Sequence, residues 1–354
     1  MIKKILLITF FIFTGFFSNL TCFAEENITE NKDITKFDAK VVYVGENTIR
    51  IEDIRGNRYD IDGTFEFGNT QKIEKGMKIK AEIIKMEDGG ERYIISDINR
   101  LSKMWIFIFI FFLTIVFLLK KQGIKALANL IITFLVIIFF IIPLILKGFN
   151  PLVITVIGTS LAMFVMFFTL YGKSKKTLAI CLATLISLTI ATLFSWFFIH
   201  FTYLTGFAND EATFLMTAGY INIDMEGLLL AAFLIGIMGT LDDIIINQVS
   251  IIESLKKINP KINIWTAYKE AMKVGKDHMA SMINTLIFAY AGAAFPLMIL
   301  FYLKNPPFDS INSIINNEIV ATEIVRMIVG SMSLLLATPI ATYIAVKIFL
   351  KKTN

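Results

Sequence analysis

Cysteine and histidine are almost missing from this chain, with two of each in 354 residues. Cys22 lies in a leader-like segment and Cys181 in an apolar run, so neither a structural disulfide nor a thiolate metal site organises the protein. His200 and His278 fall near opposite ends of the apolar runs, which excludes a shared histidine metal cluster. Charge is scarce as well: 18% of residues are charged and 56% hydrophobic, against roughly 25% charged in an ordinary soluble domain. That balance excludes a typical soluble enzyme and predicts a polytopic membrane protein. The formal charge of +5 does not imply a nucleic-acid partner, because the lysines cluster in short segments beside apolar runs. The segment YGKSKKT, residues 171–177, lacks the glycine spacing of a phosphate loop and reads as a basic turn. No serine, histidine and acid pattern stands out, so neither a catalytic residue nor a bound cofactor or metal is expected.

What is present divides into three parts. Lys3 and Lys4 precede an apolar run over 5–20, and Cys22, Phe23 and Ala24 stand before Glu25. Small residues at positions 22 and 24 predict a signal peptide over 1–24, cleaved after Ala24, with retention as a membrane anchor as the alternative. Residues 25–102 are polar, with partly alternating runs at 40–44, 49–51, 78–84 and 92–98, and with Gly56, Gly63, Gly68, Gly76, Gly89 and Gly90 between them. This pattern predicts a small extracytoplasmic β-rich domain, a barrel or sandwich of roughly 75 residues, with a protein partner as one expected role. Residues 103–354 form the membrane domain.

Apolar runs recur there at 103–119, 124–146, 152–171, 177–200, 228–252, 279–303 and 325–347. Most reach the roughly 20 residues that a helix needs to cross the hydrocarbon. The expected fold is therefore an α-helical polytopic membrane protein with about seven transmembrane helices. Lys120, Lys121 and Lys125 fall on one side, as do Lys173, Lys175, Lys176, the lysines from Lys256 to Lys276, and Lys347 and Lys351. Alternate loops carry few basic residues, and the one over 201–227 carries Asp210, Glu211, Asp224 and Glu226. The positive-inside rule then sets residues 25–102 outside and the carboxyl terminus in the cytoplasm. A signal peptide ahead of an exported domain requires the same orientation.

Asp242 and Asp243 interrupt the apolar run at 228–252. An acid at bilayer depth costs about 2.5–3.5 kcal/mol on insertion scales, so a compensating or functional environment is expected. At 3.6 residues per turn, Gly236, Thr240, Asp243, Asn247 and Ser250 form one stripe, and Asp242 is turned about 100° from Asp243 to its border. The next run has its own stripe of Asp277, Ser281, Asn284 or Thr285, Phe288 and Gly292, and an antiparallel pair would bring the two stripes together. Asp277 also suits a helix amino terminus. Glu323 and Arg326 share a face of the last run as an interfacial ion pair, and Pro339 kinks that helix farther along. Asp243, Asn247, Ser250, Asp277, Asn284, Thr285, Glu323 and Arg326 are the candidate intramembrane polar site.

Three of these segments resemble the YibE/F-like family of multi-span bacterial membrane proteins. GIMGTLDDIIINQVS carries the family aspartate onto Asp243 and a serine onto Ser250, while Asp242 stands where the family pattern has an apolar residue. GKDHMASMINTLIFAYAG brings Gly275, Asp277, Asn284, Thr285, Tyr290 and Gly292 onto the pattern, and EIVRMIVGSMSLLLATP brings Glu323, Arg326, Gly330 and Pro339. GFANDE, near Glu211, is similar to the glycine and acid segment before the fifth run, and the likeness extends over about 35–345. The resemblance implies a bacterial cell-membrane protein, with transport as its suspected activity and no substrate class. The expected function is a secondary transporter or permease component for an ion or small polar solute. A non-transporting membrane scaffold or envelope sensor is the alternative. The lipid bilayer is the expected surrounding in both.

Overall fold

A computed structural model describes residues 34–45, 48–62, 73–86, 90–208, 210–219, 223–304 and 309–350. The signal segment expected over 1–24 lies outside them. The chain divides into two compact units, Met1–Ile124 and Lys125–Asn354.

Among the described residues of the first unit, five strands, β1 (Ile34–Val44), β2 (Thr48–Asp53), β3 (Arg58–Asp62), β4 (Lys78–Lys85) and β5 (Glu91–Ile98), form one antiparallel sheet in the order β3-β2-β1-β4-β5. Alternate residues Ala39 and Val41, Ile49 and Ile51, and Ile79 and Ala81 turn to one buried face, as a period of two requires. Register shifts between Val41 and Tyr43 and between Lys80 and Ala81 add local twist. The sheet curls until β3 and β5 approach: the Tyr59 and Tyr93 rings stack at 4.7 Å between centroids, with Phe37 5.4 Å from Tyr59. The result is a β half-barrel. Asp53 shapes the β2–β3 hairpin by accepting from the Arg55 and Asn57 amides, both at 2.8 Å, and Gly56 supplies the left-handed φ of 86° that the turn needs. Burial opposes the charge on the Asp53 carboxyl, but these bonds, with those from the Asn57 and Tyr59 side chains, hold it below its ordinary acidity constant.

The helices are α1 (Leu101–Val136), continued by a π turn at Ile137–Ile141 into α2 (Ile142–Leu146), then α3 (Pro151–Tyr171), α4 (Lys175–Phe201), α5 (Asp210–Thr217), α6 (Met225–Ile258), α7 (Ile264–Ala293), α8 (Phe295–Leu303), α9 (Ile311–Asn316) and α10 (Glu318–Leu350). The starts follow from local chemistry. Asn150, Ser174, Asp224 and Asn263 each accept a backbone N–H in the first turn of the helix that follows, and Pro151 fills the first position of α3.

In the second unit α6 is central and packs on α3, α4, α7 and α10. Phe167, Ile180, Phe233, Ile237, Leu241, Val249 and Leu334 fill the core. Ala183 and Ala191 on α4, with Ala337, Ala341 and Ala345 on α10, keep the backbones close. An ion pair fixes the register of α4 against α6 at one end, where Lys176 lies 3.4 Å from Glu253, and at the other end His200 Nδ1 lies 3.1 Å from Glu226. Glu318 fastens α10 to the turn after α4, accepting from the Thr205 amide at 2.6 Å, its hydroxyl at 2.7 Å and the Gly206 amide at 3.2 Å.

Among the described residues, five helical stretches are long and apolar enough to cross a membrane, Leu101–Leu146, Pro151–Tyr171, Lys175–Phe201, Met225–Ile258 and Glu318–Leu350. A sixth is formed if α7 and α8, bent by 69° at Ala294, count as one span. Seven were expected from the sequence, which counts the two halves of Leu101–Leu146 separately.

Candidate functional site

Two adjacent carboxylates on α6 end up on different sides of the helix, because each residue turns the side chain by about 100°. Asp242 points into the packed interior and is 8% exposed, with its Oδ1 lacking a hydrogen-bond partner among the described residues. Tyr171, at the end of α3, lies within electrostatic reach of it. Asp243 lies on the open side of α6, in line with Gly236, Gly239 and Asn247, all exposed, while Ser250 is half-buried at the end of the line. Thr240 and Ser250 satisfy their hydroxyls within the helix, on the carbonyls of Ile237 at 2.8 Å and Ile246 at 2.7 Å. Asp243 and Asn247 are therefore the groups of this stripe left to meet something outside α6. The sequence sets Asp242 at the border of the stripe; in the fold it is the more deeply buried of the two acids.

α7 packs on the bundle with Ala267, Ala271, Gly275 and Met279. These small residues at helical spacing decide which side of α7 meets the bundle. A Cβ at position 275 would stand 2.5 Å from Gln248 Nε2 and 2.9 Å from Thr338 Cγ2, so glycine is what allows the approach. One consequence departs from the expectation of two facing polar stripes: Asp277, Ser281, Asn284, Thr285, Phe288 and Gly292 lie on the exposed side of α7. His278, next along the helix, is the residue that interacts with Asp243, and its Nε2 is buried without a partner among the described residues. Thr285 donates to the Ser281 carbonyl at 3.0 Å. Asp277 lies well inside α7, whose amino terminus is capped by Asn263, so it is not the helix cap that the sequence allowed.

Glu323 and Arg326 form the ion pair expected from their spacing, at 2.8 Å. The Arg326 guanidinium also lies over the Phe233 ring, 5.1 Å from its centroid, and both charges act on Tyr290 of α7. This group stands toward the Glu318 end of the bundle, away from Asp243, so the eight sequence candidates do not converge on one cavity.

The interior holds polar groups that the sequence stripes leave out. Gln248 is fully buried and accepts from Thr342 Oγ1 of α10 at 2.9 Å, while its own Nε2 lacks a partner. Thr184 and Ser187 of α4 are buried with unpartnered hydroxyls. Gln248 was legible in principle, because it shares a face with Leu241 and Ile252 rather than with Asn247. Thr184 and Ser187 carry no such mark, since hydroxyls are common in apolar helices and usually bond their own backbone. At the Lys176 end, a cleft of roughly 470 Å³ is lined by Tyr171, Ser174, Lys175, Lys176, Glu253, Lys257 and Phe349. Among the described residues no group of three or more His, Cys, Asp or Glu could hold a metal ion.

No curated protein and no solved structure matches the chain. Residues 107–351 match the family model described as YibE/F-like protein. That match covers more than half of the chain, including every helix of the second unit, and with the apolar helices it supports a membrane protein. The chain belongs to the YibE/F-like family.

Proposed function

We propose that this protein is a secondary transporter or permease component that moves an ion or small polar solute. The observation that carries the reading is the exposure of Asp243 and Asn247 on α6 and of Asn284 and Thr285 on α7. In lipid such groups are expensive, so their exposure fits a water-reached route. α7 and α8 add a helix broken by 69°, and discontinuous helices beside a polar site near the midplane are a recurring feature of secondary transporters. Within this reading the stretch Leu101–Leu146 supplies two crossings. Its 46 residues rise about 69 Å, over twice the hydrocarbon thickness of about 30 Å. Lys120, at φ 51° and ψ −124°, interrupts it. Seven crossings then leave the β half-barrel outside and the carboxyl terminus in the cytoplasm of a bacterial cell, with no enzymatic step required. The test is solute flux in sealed vesicles carrying Asp243→Asn or Asn284→Ala: flux falls in correctly inserted variants, and unchanged flux sinks the mechanism.

A second reading, a membrane scaffold or envelope sensor, draws on the same exposed groups, because partner helices would also cover them. The β half-barrel would then bind an external protein. Loss of assembly in Asp243→Asn, with no solute that stabilises the native protein, selects this reading over transport.

A further inference from the structure

We propose that the cleft at the Lys176 end binds an anionic phospholipid, its headgroup phosphate among Lys175, Lys176 and Lys257 and an acyl chain along α4. Three observations meet there. The first is level. The cleft is lined by the last residue of α3, the first turn of α4, the last two turns of α6 and the last turn of α10. Four of the membrane-length stretches therefore begin or end at this one place. Where spans end together the hydrocarbon gives way to headgroups, so the cleft stands at the depth of lipid phosphates. Its roughly 470 Å³ falls within the roughly 300–1,000 Å³ of pockets that enclose small organic groups.

The second observation is charge. The lining holds three lysines and one carboxylate, Glu253. Glu253 is engaged by Lys257 at 2.7 Å and by Lys176 at 3.4 Å, while Lys175 has no ion pair among the described residues. Positive charge is thus in excess by two. Ser174 takes the Thr177 amide at 3.1 Å, and the first intrahelical bond runs from Leu178 to the Ser174 carbonyl, also at 3.1 Å. The amides of Lys175 and Lys176 come before that bond, so the positive end of a 27-residue helix adds to the lysines. A zwitterionic headgroup would bring a cation of its own among these lysines. The excess charge therefore selects an anionic lipid.

The third observation separates a lipid from a free phosphate. Leu178, Leu182 and Leu185 follow Lys175 by three, seven and ten positions, which puts all four on one face of α4. The three leucines are 54%, 42% and 38% exposed. From Lys175 to Leu185 this track covers about 15 Å, running from the cleft toward the bilayer interior. An acyl chain tied to a phosphate in the cleft needs such a surface, and a soluble anion does not. Phe349 and the Tyr171 ring, which Lys176 covers at 4.6 Å, give the cleft apolar walls for the glycerol.

The site requires membrane insertion but not transport, and its occupancy is read without measuring flux. Native mass spectrometry of the full-length protein in detergent micelles, titrated with phosphatidylglycerol or phosphatidylcholine of identical acyl chains, reports each bound lipid and its affinity. Expected is phosphatidylglycerol bound at least tenfold tighter than phosphatidylcholine. Lys175→Gln and Lys257→Gln should each lower that ratio at least threefold, and together bring it close to one. Leu178→Ser should weaken both lipids alike, whereas Lys273→Gln, exposed on α7 outside the cleft, should leave the ratio unchanged. The proposal is overturned by equal affinities in the native protein, by a ratio that survives the double lysine variant, or by unchanged binding in Leu178→Ser. An equal loss in Lys273→Gln overturns it in favour of diffuse surface charge, and displacement of the lipid by millimolar inorganic phosphate in favour of a soluble anion. Lys257→Gln takes one ion pair from Glu253; if it does not fold, Lys175→Gln, which breaks none, decides the matter alone.

Discussion

Replacing Thr342 by valine removes the one hydroxyl that Gln248 accepts from, at 2.9 Å, and leaves a fully buried amide with neither end bonded. Valine is nearly isosteric with threonine, so the change isolates the polar contact from packing. An orphaned buried group costs about 1–3 kcal/mol in water-soluble proteins. Interhelical hydrogen bonds within membranes average about 0.6 and reach about 1.7 kcal/mol. We therefore expect Thr342→Val to destabilise the bundle by about 1–2 kcal/mol, a factor of roughly 5 to 30 in the folding equilibrium. Gln248→Leu removes the amide together with its unpartnered Nε2 and leaves a hydroxyl that still bonds the Thr338 carbonyl at 2.7 Å, so its loss should be smaller. The double variant should be more stable than Thr342→Val alone, because no polar group is then stranded. Reversible unfolding in mixed lipid and detergent micelles, followed by circular dichroism, gives the four stabilities of the cycle. Additive effects, or a neutral Thr342→Val, would refute the assignment of Gln248 and Thr342 as a coupled interior contact.

Gly275→Val forces a side chain against Gln248 and Thr338, so α7 should separate from α6 and α10; a disulfide engineered between α6 and α7 in the parent should then fail to form. Glu318→Ala deletes three acceptor contacts to Thr205 and Gly206, and limited proteolysis should open the turn after α4 severalfold faster, whereas Glu318→Gln keeps an acceptor and should lose less. In the β half-barrel, the Arg50 side chain bonds the Asp60 carboxyl and holds it below its ordinary 3.8, with burial opposing and the opposite charge assisting. A depressed folded-state value means the stabilisation is complete above about pH 3.8 and is lost as pH falls through the lower folded value. Hydrogen exchange in β2 and β3 should accelerate on acidification there, and Asp60→Asn should remove that dependence. Tyr93 is pushed up to about 12 by its bond to Glu91, aided by burial. Glu91→Gln should let it ionise nearer 10.0, seen as tyrosinate absorbance in alkaline titration, and an unchanged curve would count against the bond.

Sequence alone determined the two kinds of structure in this chain. Period-two alternation around Val41, Ile49 and Ile79 is enough to make a sheet with one buried face, and apolar runs of about 20 residues are enough to make helices suited to a membrane. The capping residues Ser174, Asp224 and Asn263 fix helix starts by local bonds, so these too were readable. The ion pair of Glu323 and Arg326 followed from spacing on one helix. None of those features depends on which helices become neighbours.

The polar interior does depend on it. A stripe on one helix identifies residues that share a face, but not what that face meets. Ala267, Ala271 and Gly275 draw α7 in by a side other than the one carrying Asp277 and Asn284. α3, α4, α7 and α10 close around the side of α6 that carries Asp242 and Gln248, and leave Asp243 and Asn247 open. Two neighbouring aspartates of equal chemistry thus receive unequal surroundings. Their 100° separation is set by the helix, and the choice of the buried side by close packing among helices distant in the chain.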